Sequence, residues 1–102
     1  MKIYNKLVRD RIPEIMAQNG ERAHCTTLDD ADYLRELDKK LTEETAEYQE
    51  SKELEELADI LEVLEAICTA RGHSVAELHA VREKKRAERG GFEQRLFLAY
   101  KE

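Results

Sequence analysis

The scarcity of helix-breaking residues constrains this chain more than any other feature of its sequence. Its 102 residues include four glycines and one proline, and neither type occurs between positions 41 and 71. Because glycine and proline are the residues least tolerated inside helices, their scarcity favours a mostly helical structure. The length is that of one domain, for which we predict the bounds 1–102.

Apolar spacing and helix-boundary signals together predict an all-α fold, an antiparallel helical hairpin or bundle. Leu34, Leu37 and Leu41 recur at helical spacing, and Ser74 with Glu77 has the pattern of a capping box. The four predicted helices span residues 12–19, 30–50, 53–71 and 74–89. Residues 21–28 and 94–100 are rich in residues that favour strands, so we also predict a minor β pair between them.

The third predicted helix is apolar over more than a surface stripe, and we therefore expect it to be central. One face carries Leu54, Leu57, Ala58, Leu61, Leu64 and Cys68, and a neighbouring face carries Ile60, Val63 and Ile67. A chain this short leaves much apolar surface uncovered, and association of copies would relieve that exposure.

Charge and composition narrow the class of function. The formal net charge is −6, which disfavours binding to a nucleic-acid polymer, because that needs a basic surface. A nucleotide substrate remains compatible, since a metal ion can supply positive charge locally. No apolar run reaches the roughly 20 residues that span a membrane. The first fifteen residues contain no continuous apolar stretch of a secretion signal, so we expect a cytoplasmic protein.

Two pairs of acids lie in the stretch LTEETAEYQESKELEELAD, residues 41–59. Glu44 and Glu47 are three residues apart and share one helix face, and Glu56 and Asp59 repeat that spacing on the next segment. On a single unbroken helix, Glu47 and Glu56 would be rotated by about 180° and separated by about 13 Å. The four acids can therefore form one site only if the chain reverses near residues 49–53, where Ser51 is a candidate cap.

Two interpretations of these acids remain open at this point. Glu-rich helices usually present their acids to solvent, and Glu55, Glu62 and Glu65 fit such a face. Glu56 instead points toward the apolar side beside Ile60, where an acid is costly unless it is paired or bound to a metal. A carboxylate cluster of this kind suits Mg²⁺, a hard cation that prefers oxygen ligands.

Basic residues occur in two groups, near the N-terminus and at the end of the fourth predicted helix. Cations near a helix C-terminus are favourable for the helix dipole alone. The alternative is that some of them bind substrate phosphates. The candidates for phosphate binding are Lys6, Arg9, Arg11, Lys85 and Arg89.

At the acidic residues the chain resembles the MazG-type all-α nucleotide pyrophosphohydrolases. Their motif is EExxE followed by ExxD, which here reads Glu43-Glu44-Thr45-Ala46-Glu47 and Glu56-Leu57-Ala58-Asp59. YNKLVRDRIPEI at 4–15 and KKRAERGGF at 84–92 resemble the opening and the ending of a phosphoribosyl-ATP pyrophosphohydrolase-like subgroup. Only eight residues separate Glu47 from Glu56, fewer than in many members, which implies a very short turn between the helices.

The resemblance implies an enzyme that hydrolyses a nucleoside triphosphate, NTP or dNTP, to the monophosphate and pyrophosphate. Clearing non-standard or excess nucleotides is the biological role left open by that resemblance. It implies Mg²⁺, with Mn²⁺ as a substitute, held by Glu44, Glu47, Glu56 and Asp59. Glu44 or Glu47 is the expected catalytic base, and Glu43 matches the motif without an assigned role. Family members usually assemble as homodimers or homotetramers.

Two further functions stay open. The first is phosphoribosyl-ATP pyrophosphohydrolase of histidine biosynthesis, which has the same fold, and fold does not fix the substrate. The second is a non-catalytic helical interaction module in which the acids form a docking face. Pyrophosphate release from a substrate panel and Mg²⁺-dependent thermal stability distinguish these functions.

Overall fold

The structure, a computed structural model describing residues 1–102, contains four helices and no strand. The helices are α1 (Ile12–Gln18), α2 (Asp30–Ser51), α3 (Leu54–Ala70) and α4 (Val75–Arg89). α2 packs along α3 as an antiparallel hairpin, and α4 contacts α3 over a much shorter length. The predicted all-α fold is thus confirmed, with helix ends within about one residue of those expected. None of the four helices combines the length and the apolar character needed to cross a membrane.

Local sequence explains where the long helices begin and end. The Asp29 carboxylate accepts a hydrogen bond from the backbone N–H of Asp32 at 2.8 Å and caps α2. Ser74 and Glu77 form a reciprocal capping box at the start of α4. Beyond α3 the chain turns at Gly72, whose φ of +90° is readily adopted only by glycine. These caps satisfy backbone groups that helix ends would otherwise leave without partners.

The reversal between α2 and α3 uses only two residues. Lys52 has left-handed backbone dihedrals, φ 60° and ψ 19°, and its N–H donates to the Tyr48 carbonyl at 2.8 Å. Ser51 is the last residue of α2 rather than the cap of α3, which is Glu53 without a side-chain cap bond. The Ser51 hydroxyl accepts a hydrogen bond from the Glu53 N–H at 3.2 Å, so it stabilises the turn itself.

The interior of the hairpin is small. Only three residues are buried, namely Leu37 of α2, Val63 of α3 and Glu44. Ile60 and Ile67 are half-buried on the same side of α3 as Val63. This side of α3 therefore packs against α2. The buried Glu44 of α2 lies at the end of this contact where the carboxylates of Glu56 and Asp59 are found.

The leucine face of α3 has no partner within the chain, contrary to the central position expected for this helix. Leu54, Leu57, Leu61 and Leu64 remain 40–78% exposed. α2 covers the adjacent side that carries Val63, and α4 contacts α3 too briefly to cover the leucines. An apolar helix can thus have an uncovered face when the chain supplies one long neighbour instead of two.

The expected β pair of residues 21–28 and 94–100 is wrong. Both stretches lack regular secondary structure, and nearly all their side chains are exposed, with Ala23 half-buried. A two-stranded pair with no face packed on a core is marginally stable, so strand propensity alone does not form it. The C-terminal stretch instead extends from α4 after one turn, closed by the Arg95 N–H on the Phe92 carbonyl.

Candidate metal centre

Four carboxylates meet where α2 and α3 lie side by side near the turn. α2 presents Glu44 and Glu47, and α3 presents Glu56 and Asp59. One carboxylate oxygen from each residue lies within 4.8 Å of the other three. The structure therefore brings together the four acids that the sequence predicted as metal ligands. The two-residue turn achieves this because it lets the i, i+3 pair of one helix face that of the other.

Two oxygens of this cluster are buried without a hydrogen-bond partner. They are Oε2 of Glu44 and Oε2 of Glu56, and Glu44 as a whole is only 7% exposed. Burying a carboxylate without compensation is costly, so buried acids are normally paired, protonated or bound to a metal. The orphaned oxygens of two different helices converge on the same cluster, which is what a cation bound between the helices requires.

The electrostatics of the cluster favour uptake of positive charge. The pKa of Glu44 is raised, first by burial and then by the close approach of the Glu47 carboxylate and its negative charge. The pKa of Glu56 is raised by desolvation and by the neighbouring Glu47 and Asp59. Like charges held this close oppose full ionisation of the cluster. A divalent cation would relieve the same repulsion without a proton.

Lys40 is a charged neighbour of the cluster that the sequence analysis did not single out. Its Nζ lies 3.6 Å from Oε1 of Glu44 and 3.5 Å from Oε1 of Glu43. This cation lowers the pKa of Glu44, in opposition to the effect of burial. Glu43 pairs with Lys40 and lies outside the four-acid group. Glu43 and Glu44 follow Lys40 by three and four residues, so both contacts could have been predicted from helical spacing.

Arg9 reaches the cluster from the irregular N-terminal segment. Its Nη2 donates to Oδ1 of Asp59 at 2.7 Å, and its Nη1 lies 3.9 Å from Glu62. Of the five basic residues proposed to bind phosphate, Arg9 is the one that contacts a candidate metal ligand. A guanidinium beside the cluster is positioned to meet an anionic ligand there.

The other four proposed phosphate-binding cations form no ion pair with the cluster. Arg11 pairs with Glu14 of α1 at 3.1 Å. Lys6 lies over the ring of Tyr4, 5.6 Å from its centroid. Lys85 and Arg89 are exposed in the C-terminal half of α4. A role for these four residues in phosphate binding stays a prediction from the sequence.

The donor set fits a small hard cation. All four groups are carboxylates, the ligands that Mg²⁺ and Mn²⁺ accept and that soft metals disfavour. Neither Cys25 nor Cys68 belongs to the cluster, so no thiolate is available to select zinc. Glu44, Glu47, Glu56 and Asp59 are therefore the residues that would hold such an ion.

Comparison with known proteins does not assign a family to the chain. No protein-family model matches it, and no solved structure is a significant match. An uncharacterized protein from Mycolicibacterium smegmatis is 50% identical over 42 residues. That similarity covers 41% of this chain and 43% of the mycobacterial protein.

Proposed function

We propose that this protein is a Mg²⁺-dependent nucleotide pyrophosphohydrolase that converts a nucleoside triphosphate to its monophosphate and pyrophosphate. One observation carries the proposal: two orphaned carboxylate oxygens, from Glu44 and Glu56, are buried within a cluster of four acids. The motif EExxE followed by ExxD supports the same assignment, because it places these acids as in the MazG-type enzymes it resembles.

The four carboxylates would hold the metal between α2 and α3. When bound, Mg²⁺ neutralises negative charge on the phosphate oxygens, which favours attack at phosphorus. Water supplies the oxygen, the bond between the α- and β-phosphates breaks, and pyrophosphate leaves. Either Glu44 or Glu47 accepts the proton from the attacking water.

Arg9 is the residue that we assign to the substrate phosphates. In the absence of substrate its guanidinium is paired with Asp59. A bound triphosphate offers several oxygens to the same planar donor, and such charge-assisted bonds are among the stronger ones in proteins. Arg9 would thus orient the substrate while the acids hold the metal. We place this reaction in the cytoplasm and expect the active form to be a homodimer or a homotetramer.

The test is pyrophosphate release from a panel of NTPs, dNTPs and phosphoribosyl-ATP, with Mg²⁺ and with EDTA. We expect release that requires Mg²⁺ and is lost in Glu56→Gln. Glu55→Gln is the matched control, because Glu55 is the adjacent acid on the exposed side of α3 and lies outside the cluster. Preference for phosphoribosyl-ATP over all triphosphates would assign the histidine-pathway reaction instead. Turnover that persists in EDTA would contradict the proposal.

Metal binding can be measured separately from catalysis. A ligand that binds the folded chain stabilises it by about 2.7 kcal/mol at 100 times its dissociation constant. We therefore expect the melting temperature to rise with Mg²⁺ in wild type and in Glu55→Gln, but not in Glu56→Gln. A melting temperature independent of Mg²⁺, together with no turnover, would favour the interaction module.

A further inference from the structure

The leucine face of α3 has the spacing of a helix–helix seam. Leu54, Leu57, Leu61, Leu64 and Cys68 follow one another at intervals of three, four, three and four residues. That is the repeat by which helices pack along a shared apolar line. We call these five residues the leucine seam. Its four leucines stay at least 40% exposed, whereas Cys68 is half-buried and its thiol lies 3.2 Å from the Ser74 carbonyl oxygen, so the uncovered part of the seam is its leucines.

A second group of uncovered apolar side chains belongs to the C-terminal part of the chain. The C-terminal segment, residues 82–102, carries five large side chains that are 78–96% exposed. They are Phe92, Leu96, Phe97, Leu98 and Tyr100. Exposed apolar side chains that occur singly are normal, but a group of this density marks an interaction surface.

The two surfaces do not meet within one chain. α4 contacts α3 near its start, where Nε2 of His79 lies 3.8 Å from Glu65. No residue from 82 onward forms a hydrogen bond or an ion pair with α3. The radius of gyration is 18.0 Å, whereas a compact chain of this length would have about 13 Å. The C-terminal segment, which begins in the second half of α4, thus extends away from the α2–α3 hairpin of its own chain.

Charge indicates which surface covers the seam. Outside the four-acid cluster, α3 carries three acids, Glu55, Glu62 and Glu65, and it contains no lysine or arginine. Two α3 helices paired along their seams would therefore bring like charges together. The C-terminal segment contains seven lysines and arginines against four acids. Its apolar residues and its positive charge are both complementary to α3.

We propose that the leucine seam of α3 is covered by the C-terminal segment of a second copy of this chain. Reciprocal exchange gives a closed dimer, in which each copy donates one segment and receives one. Each dimer then contains two identical contacts between a segment and a seam. This dimer specifies the contact behind the homodimer expected for the active form. Because the contact requires neither metal nor nucleotide, its failure would leave the proposed enzymatic activity untouched.

The experiment measures the mass of the full-length chain by sedimentation and light scattering, with three variants. We expect wild type at twice the 11.9 kDa chain mass, and a higher dissociation constant of the dimer at high salt, which screens the charge attraction but not the apolar contact. Leu61→Glu in the seam and Phe97→Asp in the segment should each be monomeric. Leu28→Glu, the same change at an exposed leucine outside both surfaces, should remain dimeric.

Mixing the two monomeric variants tests the exchange itself. A mixed dimer of Leu61→Glu with Phe97→Asp keeps one intact contact, between the segment of the first and the seam of the second. We therefore expect dimer in the mixture at concentrations where neither variant dimerises alone. Circular dichroism must show that both variants stay helical, and Leu57→Glu replaces Leu61→Glu if the latter unfolds. Monomeric wild type, a dimer insensitive to Phe97→Asp, or no recovery on mixing would overturn the proposal.

Discussion

Arg9 donates a hydrogen bond from Nη2 to the Asp59 carboxylate at 2.7 Å, although fifty positions of sequence separate the two residues. The contact fixes the N-terminal segment on α3 beside the four-acid cluster. It also places a permanent positive charge next to a candidate metal ligand. Under the proposed function, Arg9 would compete with a metal ion for Asp59 and would attract a substrate phosphate to the same place, and substitution of Arg9 separates the two effects.

Replacing Arg9 by alanine should have opposite effects on metal and on nucleotide. Mg²⁺ should bind a few-fold more tightly in the absence of nucleotide, because an exposed ion pair worth up to about 1 kcal/mol no longer competes. The KM for the nucleotide should rise, since its phosphates lose a charged donor. Thermal shifts with Mg²⁺ alone and steady-state kinetics measure the two quantities. Arg11→Ala, which removes a cation paired with Glu14, should change neither; a similar effect there would contradict a specific role for Arg9.

Neutralising Glu56 should stabilise the metal-free protein while abolishing its response to metal. Glu56→Gln removes a charge whose pKa is raised by desolvation and by the adjacent acids, so the melting temperature in EDTA should increase. Turnover should fall by at least about 100-fold, the upper end of the loss caused by removing an outer-shell partner of a metal site. Calorimetry in EDTA and in Mg²⁺ provides the comparison. A lower melting temperature in EDTA would mean that the Glu56 charge is compensated without metal.

Substitutions of Lys52, the left-handed residue at the α2–α3 turn, should change the free energy of unfolding in a predictable order. Lys52 has φ of 60°, a conformation that costs an ordinary residue roughly 1–2 kcal/mol and glycine very little. Lys52→Gly should therefore raise the free energy of unfolding by up to about 1 kcal/mol, with losses from the exposed Gln49 and Tyr48 contacts offsetting part of the gain. Lys52→Val should lower it, because a β-branched residue tolerates this conformation poorly. Urea denaturation of both variants gives the order, and equal stability would contradict the observed turn.

The start of α4 should contribute stability that is lost in acid. The pKa of Glu77 is lowered from its ordinary value of 4.5, first by the hydrogen bond with His73 and then by those with Ser74. A depressed pKa in the folded state means that the contribution is complete above 4.5 and disappears as the pH falls through the lower folded value. Carbon-detected NMR titration of Glu77 should give a pKa below 4.5, and Ser74→Ala should move it upward. The pH-dependent loss of thermal stability should be smaller in Glu77→Gln.

Local sequence determined the helices and the pairing of acids within each helix. Gly72, Asp29 and the Ser74–Glu77 capping box set boundaries by satisfying nearby backbone groups, and such interactions can be identified from spacing alone. The i, i+3 spacing likewise placed Glu44 with Glu47 and Glu56 with Asp59 before any tertiary contact was known. The requirement for a reversal near Ser51 also followed from helix geometry. These features depend on interactions that span at most a few residues.

Only the tertiary structure decided the conformation of the turn, the burial of individual side chains and the contacts between distant segments. Lys52 has left-handed backbone dihedrals although it is neither glycine nor asparagine, the residues that usually mark this conformation. The residue type at position 52 therefore gives no signal of the turn. The burial of Glu44, its orphaned oxygen and the approach of Arg9 to Asp59 depend on how α2, α3 and the N-terminal segment pack. The sequence by itself determined that α3 has a broad apolar surface, but the structure showed that α2 covers the side of Val63 and leaves the leucine seam exposed. Burial depends on which surfaces meet in space, and a periodic pattern specifies only which surfaces are able to pack.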